Sequence, residues 1–173
     1  MKKWYMLNLV GKDRRGIVSH VAAALFDAGC NLGEASMMRL GGNFSIMMMV
    51  DFEGTAKQLR DIVEPVADSM SLHYHVDRIE AKLHNHVAPD VRITVYGADR
   101  AGIVAKVTGA LAEAGLDILD LESDVGGTET SPIYIMHIEG HAGEGIEPLR
   151  SALDVVADEG VDARLSPIQT MIG

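Results

Sequence analysis

Hydrophobic positions along this chain switch between two spacings. Residues 4–10 alternate loosely and stop at Gly11, the signature of a short strand. From Ile17 the interval lengthens: Ile17, Val18, Val21, Ala24, Leu25 and Ala28 recur at helical spacing, and Gly29 supplies a C-terminal stop. Apolar stretches predict strands over 31–40 and 43–52, with Gly41-Gly42-Asn43 as the hairpin turn between them. A helix is expected over 55–69 and a last strand over His73–Glu80. The same order then returns. Strands are expected over 91–96, 117–125, 132–139 and Val161–Pro167, with helices from Ile103 to Gly115 and over 144–159. Pro148 suits the first turn of that last helix. The second hairpin reads as a longer turn, Gly126-Gly127-Thr128-Glu129-Thr130-Ser131-Pro132.

The recurrence is a duplication. Sliding the chain by 86 residues places Gly11 on Gly97, Asp13 on Asp99, Arg14 on Arg100 and Gly16 on Gly102. Eleven of the nineteen positions from 11 to 29 are identical in this register. A period this long marks repeated domains, not the stacked units of a solenoid. Each copy reads βαββαβ, so the expected class is α+β: two tandem ferredoxin-like domains, each an antiparallel sheet with both helices on one face. The expected boundaries are 1–81 and 90–173, with Lys82–Pro89 as linker. Domains of about 80 residues are individually marginal, so the halves are expected to lean on each other. In Ile46-Met47-Met48-Met49-Val50 both faces of the pleat are apolar, and Ile133-Tyr134-Ile135-Met136 is similar. A sheet with one face in water should alternate. The helix-free face is therefore expected to meet another sheet or a partner.

Composition narrows the partners. The 173 residues are 47% hydrophobic and 23% charged, an ordinary globular balance. Net charge is −10, with 15 Lys and Arg against 25 acids, and the one dense basic stretch is Lys12-Asp13-Arg14-Arg15. That argues against direct nucleic-acid binding. A single cysteine, Cys30, excludes an intrachain disulfide and fits a reducing cytoplasm. The apolar start at Trp4 meets Asn8 and Lys12 too soon for a signal peptide, and no stretch is long enough to span a membrane.

The best-matched element is the turn from first strand to first helix: Gly11-Lys12-Asp13-Arg14-Arg15-Gly16-Ile17-Val18, and Gly97-Ala98-Asp99-Arg100-Ala101-Gly102-Ile103-Val104. A helix start offers unpaired N–H groups and partial positive charge, which suits a carboxylate. Asp13 and Asp99 stand where an N-cap would accept from those groups, or where a ligand ammonium would dock. Glycine at 16 and 102 removes a Cβ that would block close approach. N-capping and tight packing alone also explain the spelling, so the residues leave both readings open.

Two copies of Gly-x-Asp-Arg-x-Gly-Ile-Val, each followed by Ala28-Gly29-Cys30-Asn31-Leu32 or Ala114-Gly115-Leu116-Asp117-Ile118, resemble ACT domains. The tandem pair without a catalytic domain resembles the glycine cleavage system transcriptional repressor family. The resemblance implies binding of a small amino acid, glycine-like, at a domain interface in a homo-oligomer. By position it implies Asp13, Arg14, Arg15, Gly16 and Ile17 in the first copy, and Asp99, Arg100, Ala101, Gly102 and Ile103 in the second. Asn31 and Asp117 would be contributed by a neighbouring domain. The common motif has proline where this chain has Arg15 and Ala101, which leaves the ligand's identity open and lets Arg15 reach an anionic group.

Other chemistry is thin. Among seven histidines, His73 and His75 share a strand face, and His84 and His86 flank Asn85; no cysteine lies near either pair, and no metal is expected. Asp120, Glu122 and Asp124 share one strand face, read as solvated or partner-facing. No serine elbow, P-loop or dinucleotide fingerprint occurs, so neither catalysis nor a cofactor is expected. The resulting expectation is a cytoplasmic, non-enzymatic regulator that represses transcription through a protein partner, a transcription activator. The alternative is a regulatory subunit, or a fragment, of an amino-acid or one-carbon enzyme such as a formyltetrahydrofolate deformylase.

Overall fold

A computed structural model describes residues 3–80, 87–98, 102–157 and 160–168. The chain divides into two compact units, residues 1–84 and 85–173. Each is described by itself. Of the expected linker, residues 82–86 fall outside the described residues, and 87–89 carry no regular structure.

The first unit runs β1 (Lys3–Lys12), α1 (Ile17–Asp27), β2 (Asn31–Leu40), β3 (Asn43–Phe52), α2 (Ala56–Ser69) and β4 (Leu72–Ile79). Its sheet has the order β2-β3-β1-β4, all antiparallel. Residues 3–12 alternate, so Tyr5, Leu7 and Leu9 point to the helix side and are buried. Ile17, Val21 and Leu25 form the matching stripe of α1, Leu59, Val63 and Ala67 that of α2. Burying each large side chain contributes about 1.5–3 kcal/mol. Helix α2 begins with a full capping box: the Gln58 amide donates to Thr55 Oγ1 at 3.2 Å, and the Thr55 amide donates to Gln58 Oε1 at 2.8 Å. The β2–β3 turn has positive φ at both Gly41 and Gly42, as a tight hairpin requires.

The second unit repeats the plan with β5 (Val91–Ala98), α3 (Ile103–Glu113), β6 (Leu116–Thr128), β7 (Ser131–Ala142), α4 (Ile146–Ala157) and β8 (Asp162–Pro167). Its sheet order is β6-β7-β5-β8, and its core includes Val91, Ile93, Val95, Val107 and Leu111. Two expectations need correction. The long second turn is not a loop: β6 runs through Gly126 and Gly127 to Thr128, and β7 already includes Pro132, paired to Gly127. Antiparallel pairing continues wherever each residue still has a partner across the ladder. Helix α4 starts at Ile146, not at 144, because Gly145 has φ 87, outside helical backbone.

The helix-free faces of the two sheets differ. In the first unit Val10, Met38, Leu40 and Met47 are exposed on that face. In the second only the hairpin end is apolar, at Tyr96 and Ile133. Farther along, Thr94, His137, Glu122, Arg92, Glu139 and Asp120 take over, with Arg92 donating to Glu139 at 2.6 and 2.8 Å. The two sheets are built on one plan but offer different surfaces to whatever meets them.

Candidate functional site

The site is the turn joining β1 to α1. Gly16 is the residue immediately before the helix, with φ 88 and ψ 0, a left-handed conformation that costs a residue with a Cβ about 1–2 kcal/mol. A Cβ here would also lie 3.1 Å from the His20 ring. Of the two readings open for Asp13, the N-cap does not hold. No side chain caps α1. The Asp13 amide donates to the Gly42 carbonyl at 3.0 Å, and its carboxylate pairs with the Arg39 guanidinium. Two causes combine. Asp13 lies three residues ahead of the true cap position, and a guanidinium is a stronger partner for a carboxylate than a peptide N–H.

Gly16 carries the local hydrogen bonding through its carbonyl. It accepts from Ser19 Oγ at 2.9 Å, from His20 Nδ1 at 2.7 Å and from the His20 amide at 3.0 Å. A carbonyl only accepts, so His20 Nδ1 bears the proton. The helix start itself keeps its first-turn N–H groups clear of side-chain caps, in contrast to the closed capping box of α2. Those groups front a cleft of about 580 Å³, lined by Asp13, Arg14, Arg15, Gly16, Ile17, Val18, Ser19, Met37, Arg39 and Phe44. The volume lies within the range of small-molecule sites.

Sequence reasoning missed Arg39, and the ladder explains its place. Arg39 sits opposite Phe44, which sits opposite Gly11, so it lies on the helix side of edge strand β2, level with the end of β1. The signal was present in the hairpin: Gly41-Gly42 folds β2 back beside the very end of β1 that carries the motif. The cleft thus gathers three guanidinium side chains and one carboxylate, at a helix start whose partial charge is also positive. It is shaped to hold an anionic group, with Asp13 available to an ammonium.

Asn31 is not at this site. It pairs with Asp51, which pairs with Trp4, nine residues along the chain from Asp13, or roughly 30 Å at strand rise. Asp117 holds the matching position in the second unit, opposite His141. Both are exposed.

At the second helix start Gly102 has φ 93 and ψ −2, again with no side-chain cap among the described residues, and the Lys106 amide donates to its carbonyl at 2.9 Å. Asp99, Arg100 and Ala101 fall outside the described residues. Ile103 is buried in the core, as Ile17 is. Following the ladder from Gly97 to Tyr134 to Val125 gives the counterpart of Arg39: a valine. Ser19 is matched by Ala105 and His20 by Lys106.

Elsewhere, His73 and His75 lie on the helix-free side of β4, where His75 Nε2 meets Asp77 Oδ2 at 2.9 Å. His84 and His86 fall outside the described residues. Among the described residues, no three His, Cys, Asp or Glu side chains converge as a metal site would require. His137 is exposed on central strand β7, with Nδ1 3.3 Å from Thr94 Oγ1. Asp120, Glu122 and Asp124 are exposed on the helix-free face. Cys30 is buried, and its thiol pKa is raised by burial and then by the Asp51 charge, which keeps it protonated and unreactive near neutrality. Among the described residues, no helix is long and apolar enough to cross a membrane.

Known proteins extend this picture. A model of the ACT domain matches twice, over residues 5–77 and 90–164. A UPF0237 protein of Corynebacterium diphtheriae is 29% identical over 77 residues, covering 44% of this chain and 86% of that protein. An unknown protein from Galdieria sulphuraria has the same fold, at TM-score 0.76 and 24% identity over 98% of this chain and 100% of that one. A proposed glycine cleavage system transcriptional repressor does too, at TM-score 0.74 and 19% identity over 98% and 99%. With two βαββαβ units, a left-handed glycine at the start of each first helix, and the domain model matched in both halves, this chain belongs to the ACT-domain family as a tandem pair.

Proposed function

We propose that the chain is a non-enzymatic regulator that senses a small amino acid at the start of α1 and passes the signal to a protein partner. The observation that carries this reading is the uncapped, left-handed Gly16 helix start opening onto a cleft that also holds Asp13 and Arg15. A ligand carboxylate meets the helix start, and its ammonium meets Asp13. Both charges of a free amino acid are answered within one turn. Asn31 lies too far along its own sheet to join this site, so in this reading it is supplied by a neighbouring domain of a homo-oligomer. The ligand then acts by favouring one arrangement of domains over another, which requires that it bind the two with different affinity.

Repression of transcription through an activator protein is the finer form of this proposal. Its supports are the fold shared with a proposed glycine cleavage system transcriptional repressor and the net charge of −10, which disfavours direct contact with DNA. Calorimetry of the full chain against the twenty amino acids tests the sensing step. Binding heat from at least one amino acid is expected, lost in Asp13→Ala and kept in Asp99→Ala. Silence from all twenty removes the sensor and leaves a scaffold.

A further inference from the structure

We infer that the ligand of the first domain's site carries a net negative charge, as an amino acid with a side-chain carboxylate does, and that Arg39 selects it. The inference rests on the sensing reading above and specifies its ligand class. Arg14, Arg15 and Arg39 bring three positive charges to the cleft, and Asp13 brings one negative charge. In a chain of net charge −10 this is a local reversal of sign. Among the described residues no carboxylate pairs with Arg14 or Arg15, and Arg39 is held by Asp13 alone.

That last pair sets the chemistry of entry. An ammonium that docks on Asp13 takes the partner of Arg39. A neutral amino acid would leave the Arg39 guanidinium without a carboxylate, while its own single carboxylate occupies the helix start. A second carboxylate on the ligand restores the balance. The pair Asp13–Arg39 becomes Asp13–ammonium and Arg39–carboxylate, so the number of charge-assisted contacts rises and none is left unmade. Room is not limiting, since glycine would fill little of about 580 Å³ and a longer acidic side chain fills more. Arg39 projects from the edge strand, opposite the turn that presents Asp13, so the two ends of such a ligand are engaged by different elements.

Titration calorimetry of the full chain with aspartate and glutamate, against asparagine, glutamine and glycine, tests the inference. The amide analogues match the acids in size and differ in charge. The acids are expected to bind about tenfold tighter or more, the scale of one charge-assisted contact. Arg39→Val, which installs the second domain's residue, is expected to erase that preference while the melting temperature holds. If that variant melts early, Arg39→Gln makes the same test at nearly native length. Equal or tighter binding of asparagine or glycine overturns the anionic ligand and leaves the sensing reading standing. Undiminished preference in Arg39→Val overturns the role of Arg39. No binding by any amino acid overturns both readings together.

Discussion

The two helix starts share a backbone conformation and the motif residues Asp13 and Arg14, matched in sequence by Asp99 and Arg100, and differ at positions around them. Gly16 and Gly102 have φ of 88 and 93, neither helix has a side-chain cap among the described residues, and each glycine carbonyl accepts the first helical N–H at 3.0 and 2.9 Å. Behind them lie the same buried triplets, Ile17, Val21 and Leu25, and Ile103, Val107 and Leu111. In front of them the copies part. The first has Arg39, Ser19 and His20 where the second has Val125, Ala105 and Lys106. A repeated motif therefore records what the fold needs twice: a residue that tolerates positive φ and a helix that packs on the sheet. Arg39, which lines the candidate cleft, lies outside that motif and has no charged counterpart in the second copy. By that measure the first unit is the better-equipped one.

The shared part should respond equally to damage. Leu25→Ala and Leu111→Ala each empty a fully buried position, and each is expected to cost its domain about 2–5 kcal/mol. Urea unfolding followed by circular dichroism measures both, and a cost confined to one variant would break the equivalence of the two cores. A smaller split is expected at the glycines. Alanine at either position meets the left-handed penalty of about 1–2 kcal/mol. Gly16→Ala should cost about half a kcal/mol more, because its Cβ would crowd His20, whereas no described residue lies within 4 Å of a Cβ at Gly102.

The smallest effect separates the copies by pH. Cys30 occupies the core position that Leu116 fills in the second domain, and its pKa in the fold is raised by burial and by the Asp51 charge. A raised pKa means that the folded state holds the proton more tightly than the unfolded chain. The stabilisation is thus complete below the unfolded thiol's pKa of about 8.5 and is lost as pH rises through the folded value. Stability measured from pH 7 to 10 should fall above that point in the parent and lose this component in Cys30→Ala. An identical slope in both would remove Cys30 as its source.

Much of the molecule was legible in the chain. The duplication, the element order and the four-stranded sheets follow from hydrophobic spacing and from glycine at the turns, which are local demands of a strand or a helix. The tight Gly41-Gly42 hairpin was readable for the same reason. The second hairpin was not, because Gly126, Gly127 and Pro132 look like turn residues until their partners across the ladder are known. The site was half readable. Sequence located the glycine before each first helix, because positive φ there selects glycine.

It left open whether Asp13 caps the helix and passed over Arg39, since that ion pair joins residues 26 positions apart in the chain. Local propensity is set by near neighbours and so is written along the sequence. The partner of a charge is set by which strands lie side by side, and only the folded sheet brings Arg39 to Asp13.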